Sequence, residues 1–70
     1  MKEILMSAVA SLPPDYADVY RMRDLEELSG RDVARRLDIS PQAMKSRLHR
    51  ARAMVRENVD AALGQQITRA

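Results

Sequence analysis

The chain has 70 residues, a net charge of +2, and only two aromatic residues, Tyr16 and Tyr20. That length allows one small domain, residues 1–70, with a modest core. The absence of cysteine excludes disulfides and thiolate metal sites. The single histidine, His49, leaves no multi-histidine metal site, so no metal or cofactor is expected.

Leu, Ala, Met, Arg and Glu are abundant, and clusters of β-branched or aromatic residues are missing. The expected fold class is therefore all-α. A first helix is expected over about residues 2–11, where Ile4, Leu5, Ala8, Val9 and Leu12 recur at helical spacing to form one apolar stripe. Pro13-Pro14 stops it, because proline lacks a donor and excludes the preceding residue from helical geometry. Pro14 then suits the first turn of a second helix running to about Glu27, with Tyr16, Val19 and Tyr20 facing inward.

Ser29-Gly30-Arg31-Asp32 has the form of a capping box, with Asp as the reciprocal acid. It opens a short helix over about residues 30–37, with Val33, Ala34 and Leu37 inward. Ser40 is a natural N-cap and Pro41 a natural first helical residue. A fourth, longer helix over about residues 41–63 therefore starts three residues after the third ends. A short helix, a tight turn and a longer basic helix make a helix-turn-helix. Ala34 lets its two helices approach, and Ile39 fills the space beneath the turn.

Charge is distributed unevenly along this four-helix plan. Residues 1–40 carry six Lys/Arg against eight acids, net −2, whereas residues 41–70 carry six against two, net +4. Concentrated positive charge is the footprint of a nucleic-acid binder, although a solvated basic helix accounts for the charge alone equally well.

Turning the long helix at about 100° per residue sharpens the choice. Met44, Leu48, Ala51, Val55, Val59 and Ala62 share a sector of roughly 60°, which is the buried face. Gln42, Ser46, His49, Arg50 and Ala53 lie opposite. Lys45, Arg52 and Arg56 line one edge, and Arg47 the other. Side chains near the start of such a helix reach base edges in the major groove, and flanking cations reach phosphates. Arg50 suits a two-pronged contact to guanine, and Gln42 a contact to adenine. No catalytic constellation emerges, so an enzyme is not expected.

The residues that carry these features also match a known pattern. Leu12–Tyr16, Val19–Asp24, Leu28-Ser29, Val33-Ala34, Leu37–Ser40 and above all Met44–Arg52 together resemble region 4 of bacterial sigma factors. The extracytoplasmic-function (ECF) group is most similar, over about residues 4–58. The resemblance implies a four-helix domain that reads the −35 element of double-stranded promoter DNA and docks on the β-subunit flap of RNA polymerase in the cytoplasm. It would place base reading at Ser46, His49 and Arg50, with Gln42 added from the helix geometry. Phosphate contacts would come from Lys45, Arg47 and Arg52, with Arg31 and Arg35 from the preceding helix.

Four positions depart from the family pattern. Asp32-Val33 replaces the usual Glu-Ile, Asp38 stands where the turn often has glycine, and Ala43 occupies a common threonine position. A complete sigma factor also carries a domain that melts the −10 element, for which this chain has no room. The expectation is thus a piece of a longer factor or a small stand-alone homologue.

Two other readings remain open. The first is a protein-interaction module held by an anti-sigma factor, docking through the apolar line of Val55, Val59, Leu63 and Ile67. That line has an equally simple use in packing on the first helix. The second is a stand-alone helix-turn-helix regulator, against which the run from Lys45 to Arg52 argues. No apolar stretch approaches the roughly 20 residues of a membrane span, and no membrane partner is expected.

Overall fold

A computed structural model describes residues 2–68 of the backbone and residues 3–64 of the side chains. Four α-helices follow in order: α1 (Lys2–Ala10), α2 (Pro14–Tyr20), α3 (Gly30–Leu37) and α4 (Pro41–Thr68). A wide, π-helical turn at Arg21–Leu25 extends α2. No strand occurs among the described residues. The fold is all-α with a helix-turn-helix, as the periodicity and caps imply.

Local chemistry sets most boundaries. Pro13 precedes α2 with Pro14 in its first turn. The Ser29 hydroxyl accepts from the Asp32 N–H at 3.1 Å, and the Ser40 hydroxyl accepts from the Ala43 N–H at 3.0 Å. Both serines therefore satisfy one of the orphan donors of a helix start. Asp38 ends α3 in the left-handed conformation, with φ 56° and ψ 47°. The Ile39 N–H returns to the Ala34 carbonyl and the Asp38 N–H to that of Arg35, which closes a Schellman motif with Asp where glycine is usual.

Two expected boundaries shift. The second helix does not continue regularly to Glu27: its α geometry ends at Tyr20, widens through Arg21–Leu25, and stops where Glu27 takes φ 60°. The Glu26 N–H reaches the Arg21 carbonyl and the Leu28 N–H that of Met22, and Leu28 packs with the core beneath α3. At the other end, α4 runs past residue 63 to Thr68.

The core has two parts joined by α4. In one, Ala8, Val9 and Leu12 pack on Ala51 and Val55, with Tyr16, Tyr20 and Val59 around them. In the other, Val19, Val33 and Ala34 pack on Met44 and Leu48, with Leu37 and Ile39 at its edge. At 1.5 Å per residue, α4 is about 42 Å long, and the molecule extends 46 Å along its longest axis. α4 is thus the spine, with α3 on its first half, α1 on its second half, and α2 between them. Nonpolar burial along both halves holds α4 to the remaining helices.

Candidate nucleic-acid interface

The inward face of α4 is fixed by packing. Met44, Leu48, Ala51 and Val55 are all buried, Ala51 completely. Because successive residues turn about 100°, burying this sector forces the opposite one outward. Gln42, Ser46, His49 and Arg50 are all exposed there. Among the described residues, none of these four side chains takes part in a hydrogen bond or ion pair. They form one stripe over the first three turns of α4, free to meet a ligand.

The cations assigned to phosphate fall into two groups. Lys45 and Arg31 are exposed and Arg47 is half-buried, and none of them is ion-paired among the described residues. Arg35 lies 3.8 Å from Asp32, with both side chains about half exposed or more, so the pair is loose and leaves Arg35 mobile. Arg52 differs. Its Nη2 and Nε donate to the two carboxylate oxygens of Asp24 at 2.7 and 3.0 Å. That hydrogen bond, before any other influence, raises the basicity of the guanidinium. Nothing in the local sequence pattern marks Asp24, because no helical period links positions 28 residues apart.

The apolar line past the reading segment is largely occupied. Val55 is 5% exposed within the cluster that includes α1, so it faces the domain's own interior. Val59 is half-buried against the same cluster, and Leu63 is half-buried near the end of the described side chains. The side chain of Ile67 lies outside the described residues. The alternative use of this line, packing on the first helix, accounts for Val55 and much of Val59.

Other chemistry is sparse. No group of three or more His, Cys, Asp or Glu that could hold a metal occurs among the described residues. None of the described helices is long and apolar enough to cross a membrane. The arrangement offers an exposed polar stripe at the start of a long helix, bordered by cations and braced from behind by α2 and α3.

Comparison with known proteins points to a family. Residues 2–55 match the family model described as sigma-70, region 4. No curated protein and no solved structure matches the chain. The matched span takes in all of α1, α2 and α3 and the first half of α4.

Proposed function

Starting from the membership of this chain in the sigma-70 region 4 family, whose domains serve generally in promoter binding and contact with RNA polymerase, we propose that it is the −35-reading domain of an ECF-type sigma factor. α4 enters the major groove with Ser46, His49 and Arg50 towards base edges and Gln42 at its leading turn. Lys45 and Arg47 on the flanks of α4, and Arg31 and Arg35 of α3, contact phosphates. RNA polymerase is engaged through the β-subunit flap.

The observation that carries this reading is the exposed stripe itself. Four polar side chains stand uncommitted on the first turns of a helix whose reverse face is buried core. Arg50 has the planar fork that matches guanine, and Ser46 is small enough to let the helix sit close.

Fluorescence anisotropy against a −35-type duplex and a scrambled duplex, each across a salt series, tests it. The expected result is tighter binding to the promoter duplex, with affinity falling steeply as salt rises. Equal, weak binding to both duplexes would remove base reading by the isolated chain.

A second reading rests on one observation: α4 continues 13 residues beyond the matched span, with Val59 and Leu63 only half-buried. An anti-sigma factor docking there would use these two residues rather than Val55. Leu63→Asp, outside both core clusters, would then abolish its binding while the domain stays folded.

A further inference from the structure

The grip of Asp24 on Arg52 changes what that arginine can do. Two parallel N–H bonds from one guanidinium to one carboxylate form the most directional contact such a pair can make. Among the described residues, the other ion pairs join neighbours: Arg21 with Asp18 and Glu26, and Arg35 with Asp32. Of these ion pairs, only Arg52–Asp24 ties α4 to another segment of the fold. Tyr20 stands beside the pair. Its phenol is held above its ordinary value mainly by burial, then by the nearby Asp24 charge, with Arg52 opposing.

We propose that Arg52 is a positioning residue of the DNA-reading surface and not a phosphate contact. Through Asp24 it sets the rotation at which α4 presents Ser46, His49 and Arg50. The proposal rests on the promoter-binding reading given above.

Three features support it. The first is placement: on α4, Arg52 lies at the border between the buried sector and the reading stripe, in the same row as Lys45 and Arg56. A bond at that border resists rolling of the helix about its own axis. The apolar clusters on its inner face resist separation, but hydrophobic contact is non-directional and fixes rotation less well. The second is charge. The carboxylate of Asp24 offsets Arg52, so its pull on phosphate is weakened, whereas Lys45 and Arg47 keep their full charge. The third is topology. Asp24 sits in the wide turn at Arg21–Leu25 that leads into the helix-turn-helix, so one carboxylate links the entrance of that motif to its reading helix.

Two variants separate positioning from phosphate contact. Asp24→Asn removes a negative charge and releases Arg52. Arg52→Lys keeps the charge that a phosphate attracts but loses the planar fork that Asp24 holds. Each is compared with the unaltered chain by anisotropy on the promoter and scrambled duplexes across salt, with thermal unfolding to verify that it is folded at the assay temperature. Positioning predicts that both variants lose promoter preference by about three- to tenfold, while the slope of log affinity against log salt stays unchanged.

Phosphate contact predicts the reverse. Asp24→Asn would then bind both duplexes more tightly, with a slope steeper by about 0.9, and Arg52→Lys would behave like the unaltered chain. That pattern, or unchanged preference in both variants, overturns the proposal. Failure of the unaltered chain to distinguish the duplexes overturns the promoter-binding reading, and this assignment with it, before any variant is measured.

Discussion

The side-chain amide of Asn58 donates to the carbonyl of Ala8 at 3.1 Å, so the end of α1 is closed by a residue from the far half of α4. The last carbonyls of a helix have no partner within it. Here Ser7 receives the Ser11 N–H, and Leu12 turns to Val9 rather than Ala8. Ala8 is 5% exposed and the bond is part-buried, so losing Asn58 leaves that carbonyl poorly satisfied. Asn58→Ala should destabilise the domain by about 1–2 kcal/mol, a fall of several degrees in melting temperature for a chain this small. Calorimetry or thermal circular dichroism checks it; an unchanged melting temperature would mean that the Ala8 carbonyl finds another donor. Asn58 also lies beyond the span matched by the family, which ends at residue 55.

Among the described residues, two hold left-handed backbone without being glycine: Glu27 at φ 60° and Asp38 at φ 56°. Aspartate tolerates this region better than glutamate, because its short polar side chain interacts locally. Glu27→Gly should therefore stabilise the domain, by about 0.5–1 kcal/mol after the greater freedom of glycine in the unfolded chain is offset. Asp38→Gly should gain less. Urea unfolding of the two variants gives the comparison directly. A larger gain at Asp38 would place the strain in the helix-turn-helix rather than in the segment before it.

These positions also mark how far the sequence carries. α3 and the start of α4 were legible because their signals are local: Ser29 and Ser40 each cap a helix three residues upstream of the N–H they accept. The exposed stripe of Gln42, Ser46, His49 and Arg50 follows from the buried stripe behind it, by helical period alone. The end of α2 was not legible. Glu26-Glu27 carries no turn chemistry, and the left-handed Glu27 accompanies a tertiary demand, the return of Leu28 to the core. The Asp24–Arg52 tie is equally silent, since its partners share no helix. An apolar line such as Val55–Val59–Leu63 reads the same whether a partner or the domain's own α1 covers it, and only packing assigns Val55 to the core.

Tyr20 should make the fold more sensitive to alkali. Its phenol is held above the ordinary value of 10.0, chiefly by burial and then by Asp24. A raised folded-state value means that the fold favours the protonated phenol. The stability linked to it is complete below the unfolded phenol's value near 10 and is lost as pH rises through the folded value. Urea midpoints taken from pH 8 to 11 should therefore fall more steeply for the unaltered chain than for Tyr20→Phe, with the two similar near neutrality. Parallel curves would show that Tyr20 ionises as freely in the folded state as in the unfolded chain.

Arg50 and Lys45 test the division of labour on α4. Arg50 lies in the exposed stripe and Lys45 on its flank, and neither is ion-paired among the described residues. Under the proposed function, Arg50→Ala removes a base contact and should weaken binding to the promoter duplex by about 1–3 kcal/mol, with a much smaller effect on a scrambled duplex. Lys45→Ala removes a phosphate contact, so it should weaken both duplexes alike and flatten the salt slope by about one contact. Neither side chain is buried, so both variants should keep the melting temperature of the unaltered chain, and changes in binding can be read at the interface. Equal losses on the two duplexes from Arg50→Ala would place that residue among the phosphate contacts. Base reading would then have to come from Gln42, Ser46 and His49 alone.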